Sequence, residues 1–304
     1  MNLPSKQLLQ QLSSELGFFA NAHMRIFWLY LACAILVVGL TALMQPTKRK
    51  KIKAAIKPAM WWNYSSAIDL QWYLINRILK LAVLVPLFGT QLAFAFTINR
   101  WLYMSFGEGN FWRLNHTITA LLFSCCLFIS EDFSRFLVHW AQHKLPWLWR
   151  FHAIHHSAST LTPLTLYRIH PIELCINSLR SIVIGGAISG LFLYAFSGQL
   201  SLIDVLGVNV FLFAFNMAGA NLRHSPFYIG FGKAEKLFIS PAQHQIHHSL
   251  QQRHYDKNFG SCLAIWDKLF GSWLASKDEK VEKFGLDNVS ARNNILKQLV
   301  GHKA

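Results

Sequence analysis

Five apolar runs constrain this chain more than any other feature: Ile26–Met44, Ile78–Ile98, Thr117–Ile129, Ser178–Phe196 and Leu200–Ala218. About 20 apolar residues in a helix span roughly 30 Å of hydrocarbon. Within lipid, a backbone has to satisfy its own hydrogen bonds, which leaves helices for runs of this kind. Only 14% of the 304 residues are charged, against roughly 25% in an average soluble domain. The expected architecture is therefore all-α, a polytopic membrane helical bundle. Residues 1–24 form a polar N-terminal segment with no ordered pattern of a cleaved signal peptide. Pro86 and Gly89 lie within the second run, where membrane helices tolerate them.

Charge gives the orientation. The loop 45–77 carries seven Lys/Arg residues, including the cluster Lys48, Arg49, Lys50, Lys51, Lys53 and Lys57, while 1–25 and 99–116 carry two each. The positive-inside tendency places 45–77 in the cytoplasm. Five crossings then bring 131–177 and 219–304 to the same side. The net charge of +15 comes with no zinc-finger, RNA-recognition or helix-turn-helix pattern. No nucleic acid is expected as a partner; contact with membrane lipid accounts for the charge. The five cysteines form no CxxC pair and read as small buried hydrophobes.

Fourteen histidines are distributed unevenly, and eight fall in three boxes: His139-x3-His143, His152-x2-His155-His156 and His244-x2-His247-His248. Imidazoles three or four positions apart share one face of a helix. A single metal needs about four protein ligands, so eight imidazoles suggest two ions. Nitrogen-rich boxes without carboxylates suit Fe, Zn, Cu or Ni. There is no HExxH, and no Glu-x-x-His on which carboxylate-bridged di-iron bundles are built. Spacing alone leaves zinc open beside a redox metal.

The stretches His139-x3-His143, PWLWRFHAIHH (146–156), RIHPIE (168–173), NLRHSP (221–226), SPAQHQIHHS (240–249) and NFGSCLAIWDKLFGSW (258–273) together resemble the fatty acid hydroxylase / sterol desaturase superfamily of integral membrane oxygenases. That resemblance covers about half of the chain. It implies a cytoplasmic helical cap holding two iron ions, molecular oxygen as oxidant, and hydroxylation or desaturation of a lipid: a sterol, fatty acyl or related alkyl chain. It makes ligands of His139, His143, His152, His155, His156, His244, His247 and His248, and adds His224 and His170. His170 is read either as a ligand or as an outer partner. His254 is expected at the surface. The implied domains are 25–124, transmembrane helices with the basic loop; 125–275, the catalytic unit; and 276–304, a polar tail.

Ligating imidazoles need acceptors for their second nitrogen, and Asp132, Glu173 and Asp267 are the candidate carboxylates, with Asn221 as a further polar neighbour. Pairing of Glu131 and Asp132 with Arg135 is the competing expectation. Trp147, Trp149, Trp266 and Trp273 are expected as interface anchors. The chain has no Rossmann fingerprint, iron–sulfur cysteine set or HPGG segment. Electrons would therefore come from a separate cytochrome b5, ferredoxin or flavin reductase. Two rival functions fit the residues: a zinc-dependent lipid hydrolase, and a catalytically silent lipid-binding membrane protein.

Overall fold

The computed structural model describes residues 17, 19–80, 89–109, 111–196, 209–286 and 295–299. Most of the second apolar run's middle and the first half of the fifth lie outside the described residues, as does most of 1–24. Among the described residues there is no strand, only two isolated bridges, and helix dominates.

The first helix, α1 (Trp28–Met44), stops where Gln45 and Pro46 interrupt it. A 3-10 turn (Pro46–Lys48) and α2 (Arg49–Ala55) follow at 113° to it. The short α3 (Pro58–Trp61) leads to α4 (Tyr64–Leu79), capped by the Asn63 side chain. Gly89, at φ +91°, starts α5 (Thr90–Phe106), and Gly107, at φ +79°, ends it. Next come α6 (His116–Lys144), capped by Asn115, and α7 (Pro146–His156). Then α8 (Pro171–Ala195) begins at a His170 cap with Pro171 in its first turn, the position where a missing N–H costs nothing. The remaining described α-helices are α9 (Val210–Met217), α10 (Pro241–His247), α11 (Ile265–Leu269) and α12 (Ile295–Gln298), and a 3-10 turn at Ala220–His224 lies between α9 and α10.

By length and apolarity, α8 is the one helix among the described residues able to cross a bilayer unaided, and α1 with its bent continuation is a second candidate. The helices α5 and α8 form the most extensive pair. Gly185, Gly186 and Gly190 make this close approach possible, since a Cβ on Gly190 would stand 2.6 Å from the Ala95 carbonyl oxygen. Small residues at helix interfaces bring backbones together where no hydrophobic force separates protein from lipid.

The third run extends beyond Ile129 into one 29-residue helix that ends in the first histidine box. Its charges are paired. Glu131 bonds Arg135 at 3.1 Å and, across to α8, Arg180 at 2.9 Å. Asp132 instead accepts from the backbone N–H groups of Cys262 and Leu263 and from Trp266 Nε1, at 2.8–3.0 Å. That bond set pins the loop before α11 to the middle of α6. The polar segment 276–304 is packed along its described part: Ser249 bridges Phe284, and Gln298 accepts from Trp72 Nε1 at 2.6 Å.

Candidate metal centre

The helices α6, α7 and α10 and the Ala220–His224 turn each deliver histidines to one interior volume. Two groups result: His139, His143, His152, His156 and His247 in the first, and His155, His224, His244 and His248 in the second. Within each group the candidate donor atoms lie within 4.8 Å of one another. The groups abut, with the rings of His156 and His248 stacked at 4.4 Å. Helical phase explains the division. His152 and His156, one turn apart on α7, serve the first group while His155 serves the second. In the third box His244 and His248 serve the second group and His247 the first.

The second group shows why these nitrogens fit a cation. Nε2 of His224 lies 3.0 Å from Nε2 of His244 and 3.2 Å from Nε2 of His248, and those two are 3.2 Å apart. A ring nitrogen carries either a proton or a lone pair. In a triangle of mutual neighbours, at least one pair must therefore be donor–donor or acceptor–acceptor, whatever the protonation. Hydrogen bonding cannot satisfy all three edges; three lone pairs aimed at one ion can. With metal–nitrogen bonds of ~2.1 Å, cis ligands stand about 3.0 Å apart in an octahedron and about 3.4 Å in a tetrahedron. Nε2 of His155 adds a further contact, 3.2 Å from His224.

The first group is held from behind. His152 Nδ1 meets Glu173 at 3.0 Å, His139 Nδ1 meets the Phe259 carbonyl at 2.7 Å, and His247 Nδ1 meets the Lys257 carbonyl at 2.9 Å. Each contact leaves Nε2 to face the interior. Nε2 of His143 and of His247 is buried there without a hydrogen-bond partner among the described residues. Burial, reinforced by neighbouring imidazoles, pushes His139, His143, His156, His224, His244 and His248 well below the usual histidine range. Burial likewise lowers His155 to about 4 and His247 to about 3. These are neutral, ligand-ready imidazoles at pH 7. Burial pushes the Glu173 carboxyl up, but the neighbouring His152 and its hydrogen bond more than offset that and hold the group below its ordinary value.

A pH dependence follows. Histidines with folded pKa values below the unfolded 6.5 bind fewer protons folded than unfolded as the pH falls. The metal-free protein should keep its full stability above pH 6.5 and lose it progressively toward pH 4. Thermal midpoints of chelator-treated protein between pH 8 and 4.5 check this; a flat profile would refute neutral burial.

Nine of the ten sequence-derived histidines converge. His170 does not: its Nδ1 caps Ile172 N–H at 3.1 Å and its Nε2 meets the Leu299 carbonyl at 3.1 Å. Both nitrogens are occupied in holding the start of α8 and the end of α12. His254 is not at the surface but fully buried, with Nε2 2.9 Å from Glu279. Of the three carboxylates, Glu173 touches a histidine, whereas Asp132 and Asp267 bind backbone. Asn221 exchanges hydrogen bonds with Arg25. Of the four tryptophans, Trp147 is exposed as an anchor would be. Trp266 and Trp273 donate to Asp132 and to the Glu235 carbonyl.

Trp149 belongs to the site, its ring 5.0 Å from that of His143. It lines a cavity of about 290 Å³ with His143, His156, His247, His248, Leu250, Tyr255 and Leu286. At its rim Lys144 and Asp256 pair at 2.5 Å. The alternation of tryptophan and histidine in 147–156 was the available signal for Trp149; nothing in the sequence indicated Leu286.

Residues 124–272 match the family model described as fatty acid hydroxylase. The chain is similar to an alkylglycerol monooxygenase of Caenorhabditis elegans, 27% identical over 57% of this chain and 31% of that protein. It is similar to the ornithine lipid hydroxylase OlsE of Rhizobium tropici, 29% identical over 48% of this chain and 40% of that protein. The human alkylglycerol monooxygenase is 24% identical over 51% of this chain and 31% of that protein. The matched part thus spans between about a third and two fifths of the length of these relatives. No solved structure matches the chain.

Proposed function

The chain belongs to the fatty acid hydroxylase / sterol desaturase superfamily, and from that premise we propose that it is a membrane-embedded lipid hydroxylase using two iron ions and molecular oxygen. In this reading the first histidine group holds one iron and the second group the other. The observation that carries it is the Nε2 triangle of His224, His244 and His248, beside a second all-imidazole group of five. Iron bound there would supply oxygen activation and attack on an unactivated C–H bond.

The chain's own residues supply the rest. Neutral imidazoles accept a cation without first losing a proton. Trp149, Leu250 and Leu286 give the cavity an apolar wall against which an alkyl segment can lie. The cavity reaches four of the histidines, His143, His156, His247 and His248, so a C–H bond placed in it stands beside both groups. The relatives carry the names of a monooxygenase and a hydroxylase, which favours hydroxylation over desaturation. The histidine groups belong on the cytoplasmic side of a multi-pass protein, where a separate cytochrome b5, ferredoxin or flavin reductase would deliver electrons.

The test is comparative lipidomics of cells with and without the gene, together with metal analysis of the purified protein. The expected result is two irons per chain and a lipid class that gains one oxygen only when the gene is present. Zinc in place of iron, with no oxygenated product, would overturn the proposal.

A further inference from the structure

The stretch NFGSCLAIWDKLFGSW contains no histidine, yet its Phe259 carbonyl meets Nδ1 of His139 in the first histidine group. The carbonyls that fix His247 and His139 belong to Lys257 and Phe259, on either side of Asn258. The backbone there is unusual. Asp256 and Asn258 have φ of +58° and +59°, a left-handed conformation that is costly for most residues and that, after glycine, Asn and Asp tolerate best.

Asn258 is fully buried, and its N–H and both side-chain polar atoms are hydrogen-bonded. Its N–H donates to the Ser272 carbonyl at 2.9 Å, its Oδ1 accepts from Leu274 N–H at 2.8 Å, and its Nδ2 donates to the Gln243 carbonyl at 3.2 Å. Gln243 lies on α10, the helix that carries His244 and His247. Beneath the loop, the buried carboxylate of Asp267 accepts from Phe259 N–H at 2.7 Å, Gly260 N–H at 2.8 Å and Ser272 Oγ at 2.6 Å. Gly260 is what lets the backbone settle there: a Cβ would stand 2.7 Å from Asp267 Oδ2.

We propose that Asp267 and Asn258 are positioning residues, which hold loop 256–260 so that its two carbonyls aim His139 and His247 at the metal of the first group. This rests on the metal-centre reading above and adds an asymmetry to it. Among the described residues the second group has no such loop: Nδ1 of His244 and of His248 is buried with no hydrogen-bond partner. Disturbing the loop therefore weakens one metal and spares the other. Outer partners of ligating histidines are worth roughly 10–100-fold in metal affinity.

The experiment uses full-length protein in detergent, loaded with iron and, in parallel, with cobalt. Metal per chain is read against increasing chelator, with the visible cobalt spectrum and helical circular dichroism alongside. Wild type should hold two ions. Asp267→Asn puts an N–H group among donors, and should release one ion at roughly 10–100-fold lower chelator while the second ion and the helical signal persist. Asn258→Val, which does not accept the left-handed backbone, should do the same; Asn258→Gly, which accepts it but lacks the side-chain bonds to Leu274 and Gln243, should recover only part of the lost affinity.

Two ions at wild-type affinity in both Asp267→Asn and Asn258→Val would overturn the proposal. So would loss of both ions in step with the helical signal, since that is a structural role only. Uptake of cobalt but not iron by wild type would sink the hydroxylase reading while the cobalt series still measures the positioning. Failure of wild type to bind either metal would sink both.

Discussion

Replacing His224 with alanine is expected to abolish turnover, by more than the ~100-fold that loss of an outer partner can cost, while replacing His170 leaves turnover within a few-fold of wild type. His224 belongs to none of the three boxes, but its Nε2 stands 3.0–3.2 Å from the Nε2 atoms of His155, His244 and His248. Without it, the second group keeps three imidazoles and no shared vertex. Full loading with metal should fail as well, so His224→Ala should lose an ion and not merely activity. His170, by contrast, spends both nitrogens on Ile172 N–H and the Leu299 carbonyl. His170→Ala removes a helix cap worth ~1 kcal/mol, so a lower melting temperature with retained product is the expected outcome. The pair is measured as oxygenated lipid per chain and iron per chain in both variants. Equal damage from the two substitutions would mean that loss of a buried imidazole, not ligation, explains the loss.

How much of this could be read from the residues alone varies with the range of the interaction. The break after α1 follows from Pro46, and the start of α8 from His170-Pro171, because a proline within one turn sets its own backbone limits. The run from Thr117 through His143 as one helix was legible too, since nothing between them stops a helix. The boxes showed that imidazoles share a helical face, but not that the face divides. His152 and His156 point to one group and His155 to the other, and a spacing rule with a tolerance of one residue does not separate them.

The least legible features were pairings between distant segments. Asp132 and Asp267 read as acids near histidines, yet both serve backbone N–H groups of 259–263. Nothing local to either residue states which donors will fold against it. The same holds for Glu279, 25 residues beyond His254, whose carboxylate draws that histidine inside.

Substituting Glu173 is expected to weaken the first group alone, by roughly 10–100-fold in metal affinity and in turnover at limiting iron. Glu173 sits in the first turn of α8, where the helix dipole favours a negative charge. It is buried with His152, Oε1 to Nδ1 3.0 Å. A carboxylate there keeps the proton on Nδ1 and so leaves Nε2 of His152 as a lone pair, 3.2 Å from Nε2 of His156. Glu173→Gln preserves volume and one acceptor oxygen but removes the charge that makes the imidazole a stronger donor to a cation. Glu173→Ala goes further: it leaves the Nδ1 proton buried and unpaired, at ~1–3 kcal/mol, and frees the ring to rotate. The two variants should therefore rank Ala below Gln below wild type in iron retained against chelator, and the second group's ion should persist in both. Activity restored by excess iron in Glu173→Gln would show that the carboxylate acts through metal retention. If Gln and Ala instead bind both ions as wild type does, His152 needs no orienting partner, and the five-histidine group is not held from behind as its geometry indicates.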